Sequence, residues 1–214
     1  MRILMLYGVN CTKEIWGELN THLSDYEVDY VEYPHEITRN AIKVDDITKW
    51  VYEQNCDESY DAIIGHSLGG IVALQLVSEY KMKANQVICL DTNLKPAEVF
   101  YRNLMTQEHM DEYGDMILKM FNKERQFYRA ELFESIQGEF DYTGYINHIE
   151  HPVYVLYGDR GVCEYSNRIR DLNLQEDVVD RLRIKFIKNA CHMIMVENPV
   201  ELASVLREIL AETH

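Results

Sequence analysis

The sequence predicts an α/β protein built on a doubly wound, mostly parallel sheet of about six strands. Three observations carry this. Short apolar runs bounded by turns alternate along the chain with stretches of helical periodicity. The runs at 3–7, 62–65 and 153–157 have little polar alternation, as strands do when helices cover both faces of a parallel sheet. The apolar run ending at Gly65 passes straight into Gly65-x-Ser67-x-Gly69 and then into a helical pattern, a strand–turn–helix step.

In chain order, a strand at 3–7 is followed by a helix over 13–23 and a strand at 28–32. A helix over 41–55 leads to the strand at 62–65, the helix over 68–81 and the strand at 87–90. After a long interval come a strand at 153–157, a helix over 164–172, a strand at 184–187 and a last helix over 200–211. The interval, about 94–148, has no strand pattern and only helical periodicity rich in Met, Tyr and Phe. A structureless loop of that length is rare in a compact domain, so the segment is expected to be a helical lid inserted after a strand's C-terminal end. Of Met105, Met116, Met120, Phe121, Phe127 and Phe133, most are expected in the insertion's own core and about a third against a ligand.

The 214 residues suit a single domain, 1–214, with a full apolar core. A net charge of −15 argues against nucleic acid or an anionic membrane as partner. Cys11, Cys56, Cys89, Cys163 and Cys191 are scattered, odd in number and without a Cys-x-x-Cys pair. That usage fits reduced thiols in a cytoplasmic protein better than disulfides or zinc. No signal-peptide pattern and no apolar run long enough to cross a bilayer is present.

Gly65-His66-Ser67-Leu68-Gly69-Gly70 has the spacing of a nucleophile elbow. A serine on so tight a turn needs small residues two before and two after it, because a Cβ there would meet neighbouring backbone. A serine hydroxyl is a weak nucleophile at neutral pH and needs a base. Of eight histidines, His192 lies between the last strand and the last helix, at the same sheet edge as Ser67. His66 flanks the serine with its side chain turned away, which suits support of the elbow. His148-x-x-His151 has no His-Glu-x-x-His spacing and reads as the end of the insertion rather than a metal site.

These residues resemble the α/β-hydrolase family. Gly-His-Ser-Leu-Gly-Gly, Val-Tyr-Val-Leu-Tyr-Gly-Asp at 153–159 and Cys-His-Met-Ile-Met-Val-Glu-Asn-Pro at 191–199 look like its landmarks, over nearly all of the chain outside the insertion. The resemblance implies the family's sheet without its first two strands, since Met1 opens on what resembles the third. It also implies an oxyanion hole from the backbone N–H groups of Val9 and Leu68, although Tyr7-Gly8 stands where relatives have His-Gly. For the acid of a catalytic triad it leaves two main places. Many relatives carry Gly-x-x-Asp after the penultimate strand; here Gly161 stands at that site and Asp159 two residues earlier. Leu90-Asp91-Thr92 looks like the thioesterase domains of peptide and polyketide synthetases, whose acid follows the strand after the elbow helix. Asp91 is the first expectation and Asp159 the alternative, with Glu164 behind both; Asp91 also reads as a plain helix N-cap.

The chemistry that follows is acyl transfer through Ser67, with His192 as base and then acid, on a partly hydrophobic ester or thioester. It needs no metal or organic cofactor. A lyase or carbon–carbon hydrolase with the same triad, and a non-catalytic binding protein on the same fold, are the alternatives.

Overall fold

The computed structural model describes residues 1–212. β1 (Arg2–Leu6) leads through a 3₁₀ turn (Lys13–Trp16) into α1 (Gly17–His22), then β2 (Glu27–Tyr30), α2 (His35–Asn40) and α3 (Val44–Asn55). β3 (Ser59–His66), α4 (Leu68–Ser78) and β4 (Lys83–Leu90) form the centre. α5 (Val99–Arg102), α6 (Gln107–Glu124), α7 (Ala130–Gln137) and a 3₁₀ turn (Thr143–His148) fill the long interval. β5 (Val153–Gly158), α8 (Glu176–Arg181), β6 (Leu182–Ile187), α9 (Ile194–Glu197) and α10 (Pro199–Ala211) complete the chain.

All six strands pair in parallel, in the order β2-β1-β3-β4-β5-β6. From β1 the chain steps outward to β2, then returns to lay β3 on the other side of β1. The order therefore reverses between β1 and β3, and a crevice opens at their C-terminal ends, where sheets of this kind bind ligands. The loop after β1 and the turn after β3 flank that crevice. Register levels the strand ends: Leu6 faces Gly65, His66 faces Leu90, and Leu90 faces Leu156. Residues just past β3 and β4 are thereby neighbours, and the bonds Ser67 N–H to Leu90 O (2.9 Å) and Asp91 N–H to Leu156 O (2.7 Å) carry the alignment one residue beyond the strands.

Packing explains the sequence patterns. α4 is buried on nearly every side, which is why its sequence is apolar throughout rather than striped. α3 buries Val44, Ile47 and Val51 on one face, and α10 buries Leu202, Leu206 and Ile209.

Two expected helices differ. The one over 41–55 begins only at Val44, because the Asp46 carboxylate takes the N–H groups of Ile42 and Lys43 and caps the helix there. The one over 164–172 reduces to a 3₁₀ turn, Arg170–Leu172. The carbonyls a helix would need there accept from side chains instead. Arg168 bonds Cys163 O and Tyr165 O, and the Tyr101 hydroxyl bonds Arg168 O. Local side-chain bonds from Arg168 and one tertiary bond from Tyr101 stand in place of the helical ladder. No helix among the described residues is long and apolar enough to cross a membrane.

Candidate active site

Ser67 sits between β3 and α4 at φ 53°, ψ −120°, a backbone conformation that an L-residue adopts only under constraint. The constraint is steric. A Cβ on Gly65 would overlap the backbone of Gly69 and Gly70, and one on Gly69 would overlap the carbonyls of Leu6 and Tyr7. The elbow is pressed against the end of β1, so both positions must be glycine. Thr92 Oγ1 donates to Ser67 O (3.0 Å) and ties the elbow to the loop after β4.

On the other wall, Gly8 lies so near that a Cβ there would come within 2.8 Å of Ser67 Cβ. Tyr7 is locked by two bonds with Tyr33: the Tyr33 N–H donates to the Tyr7 hydroxyl (2.7 Å), and the Tyr33 hydroxyl donates to Tyr7 O (3.2 Å). A buried tyrosine thus fixes the loop where relatives were expected to carry histidine. Val9 and Leu68 both line the cavity beside Ser67. Leu68 opens α4, so its N–H has no acceptor within the helix and is free for a ligand oxygen.

His192 lies in the loop between β6 and α9. Its backbone is held at both ends: the N–H donates to Leu104 O (3.2 Å), and the carbonyl accepts from His66 Nε2 (3.0 Å). That contact requires the proton on Nε2 of His66 and makes His66 a buried prop for the histidine loop. Burial, and then the charge of the neighbouring His192, push His66 down to about 3, so it stays neutral.

The His192 Nδ1 donates to Asp91 Oδ2 at 3.1 Å, which leaves Nε2 with the lone pair a base needs. Asp91, at φ 42°, is buried just beyond β4. Burial alone would raise its carboxyl; the Arg160 guanidinium and the His192 contact outweigh this and hold it below the usual carboxylate range. Arg160 Nη1 meets Asp91 Oδ1 at 3.1 Å and Nη2 meets Oδ2 at 2.9 Å, a bidentate pair. Arg160 also donates to Gly158 O (2.7 Å) and Tyr101 O (3.2 Å), and it is itself buried.

Asp159 is not at His192. Its Oδ1 accepts the N–H groups of Gly161 (2.9 Å) and Asn189 (2.7 Å) and closes a turn. Glu164 is exposed. His148 faces the Glu79 carboxylate at 3.5 Å on the surface.

The cavity over Ser67 and His192 has a volume of about 500 Å³, the size of a small-molecule site. Of the six Met and Phe residues singled out in the interval, Phe121 and Phe133 line it. Met116 is exposed, Phe127 stacks on His35, and Met105 and Met120 pack on the core.

Arg160 and the buried trio of His109, Cys191 and Glu197 were not anticipated from the sequence. Glu197 Oε1 accepts from His109 Nδ1 (2.8 Å) and Oε2 from the Cys191 N–H (2.7 Å), which ties α6 to the loop carrying His192. The donor atoms of the trio lie within 4.8 Å of one another. Both carboxylate oxygens are already occupied by hydrogen bonds, and burial pushes the Cys191 thiol up to about 11. The trio therefore reads as a brace. A cation two residues past a strand end was the one sequence signal for Arg160.

The sequence matches no family profile and no curated protein. The fold does have counterparts. MenH from S. aureus superposes with a TM-score of 0.77 at 15% identity, over 100% of this chain and 94% of that one. The enol-lactonase from Burkholderia xenovorans LB400 gives 0.74 at 14% identity, over 98% and 91%. The thioesterase domain from the curacin biosynthetic pathway gives 0.65 at 13% identity, over 96% and 90%. The chain has the α/β-hydrolase fold.

Proposed function

We propose that the protein is a serine hydrolase that cleaves a carboxylic ester or thioester through an acyl-enzyme on Ser67. The observation that carries this is the buried Asp91 carboxylate on His192 Nδ1, beside a serine held in a strained turn. In the proposed course, His192 Nε2 takes the Ser67 proton as Oγ attacks the carbonyl carbon. The N–H groups of Val9 and Leu68 hold the oxyanion. Protonated His192 then gives its proton to the leaving alcohol or thiol, and in the second half it activates water to release the acid. Asp91 fixes the imidazole tautomer and offsets the imidazolium charge. The segment from α5 to the Thr143–His148 turn acts as the lid, and its Phe121 and Phe133 receive a partly hydrophobic acyl chain.

The test is intact-mass analysis after treatment with a fluorophosphonate. One added group, absent in Ser67→Ala, is expected. Folded protein that takes up no group would favour a non-catalytic binding protein on this fold.

A further inference from the structure

Three acidic or basic side chains line the cavity: Asp91, His192 and Arg102. The first two are paired with each other, and the Asp91 charge is further neutralised by Arg160. Arg102 is left over. Its natural partner would be Glu98, four residues back at the N-cap of α5. The Glu98 carboxylate instead accepts from Asn173 Nδ2 (3.2 Å), and only the backbone carbonyl of Glu98 meets Arg102, through its N–H. Arg102 holds no carboxylate among the described residues, and unlike the other arginines without one it lines the cavity over Ser67.

The mount of Arg102 ties it to the catalytic groups. Just before it, Tyr101 O accepts from Arg160 Nη2 (3.2 Å), and the Tyr101 hydroxyl is bonded to Arg168 O. Two residues after it, Leu104 O accepts the His192 N–H (3.2 Å). The backbone bearing Arg102 is thus fastened to the arginine that holds the triad acid and to the histidine itself. Much of the remaining wall is apolar or aromatic, with Ile71, Phe121, Phe133 and Phe140 among its residues. Arg102, an exposed cation whose backbone but not its guanidinium is held, lines this cavity beside apolar and amide side chains, and in a protein carrying net charge −15 it is a local exception to a field that repels anions.

We infer that the substrate is an ester or thioester bearing one carboxylate on an otherwise apolar body, and that Arg102 binds this carboxylate. This rests on the acyl-transfer reading of Ser67. The guanidinium offers a planar pair of donors to the carboxylate, and the aromatic wall takes the methylene chain. The carboxylate is not transformed; it fixes the substrate so that its ester carbonyl meets Ser67.

The experiment compares kcat/KM at pH 8 for matched pairs. Nitrophenyl esters of hexanoic and longer acids are set against the nitrophenyl monoesters of the corresponding dicarboxylic acids. A second arm places the carboxylate on the phenol, which distinguishes the acyl side from the leaving-group side. The charged member of a pair should be favoured by about tenfold in one arm, the factor expected for one charged hydrogen bond. Arg102→Gln should remove that preference, Arg102→Lys should keep part of it, and Arg102→Glu should reverse it. Preference ratios that do not differ among wild type, Arg102→Gln and Arg102→Glu would overturn the inference while leaving the hydrolase standing. Should Ser67 prove unreactive, the acyl-transfer reading fails by itself. Calorimetric titration of adipate into wild type and Arg102→Gln then decides the carboxylate site: binding lost in the variant supports it, and equal or no binding overturns it.

Discussion

Replacing Asp91 by asparagine tests the site most severely, because three donors converge on its two oxygens. Arg160 Nη1 occupies Oδ1, while Arg160 Nη2 and His192 Nδ1 share Oδ2. An amide has a single oxygen. Placed at the Oδ2 position it satisfies Nη2 and Nδ1, but its NH₂ then opposes Nη1; turned around, it faces His192 with a donor and forces the wrong tautomer. In either pose the charge is gone, and a buried Arg160 is left beside an imidazole that must become positive during turnover. Removing one partner of a buried ion pair costs about 3–5 kcal/mol, a large share of a typical stability of about 5–15 kcal/mol. Loss of the acid's charge in a serine protease triad costs about 10⁴ in kcat. The expected result for Asp91→Asn is therefore a lowered urea midpoint together with a fall in kcat of that order. Arg160→Met added to Asp91→Asn should restore much of the midpoint, because the orphaned charge goes, without restoring kcat. The measurements are urea denaturation and hydrolysis of a nitrophenyl ester by the three variants. A kcat for Asp91→Asn within tenfold of wild type would refute the role given to Asp91. A double variant no more stable than Asp91→Asn would refute the account of Arg160.

Three further outcomes are expected. His66 is held down to about 3 by burial and by His192, against 6.5 for a free histidine, so the unfolded chain binds the extra proton first. Its contribution is complete above about pH 6.5 and is lost as pH falls toward 3, at about 1.4 kcal/mol per pH unit; a His66→Gln variant whose stability falls just as steeply would count against this. Gly65→Ala should abolish fluorophosphonate labelling, because its Cβ would overlap the Gly69 and Gly70 backbone; labelling at the normal rate would show that the elbow yields. Phe133→Ala enlarges the apolar wall and should shift the kcat/KM ratio toward longer acyl esters by several-fold, a buried methylene being worth about 0.8 kcal/mol. An unchanged ratio in both Phe133→Ala and Phe121→Ala would remove the lid from chain-length selection.

Much of the molecule is legible before folding. The inner strands β1, β3, β4 and β5 lie where short apolar runs are bounded by turns, the pattern of parallel strands buried on both faces, whereas the edge strands β2 and β6 are only partly buried and mix polar with apolar residues. The Gly65-x-Ser67-x-Gly69 spacing marks the elbow, Gly65 for a local reason, since its Cβ would overlap the Gly69 and Gly70 backbone, and Gly69 because the end of β1 leaves no room for one. The sequence also places His192 at the right sheet edge, because that needs only the order of strands. What it left open depends on contacts between residues far apart in the chain. Asp91 and Asp159 are both acids just past strand ends; only the register of β4 against β3 and β5, and the loop after β6, decide that His192 meets the first while the second closes a turn. Arg160, 69 positions from Asp91, has no local signature as its partner. In the 164–172 segment the Arg168 side chain claims the nearby Cys163 and Tyr165 carbonyls, and the Tyr101 hydroxyl, from elsewhere in the fold, claims that of Arg168. Short-range sterics and solvent periodicity are written residue by residue, whereas the pairing of buried charges is settled only when the sheet brings the ends of its strands together.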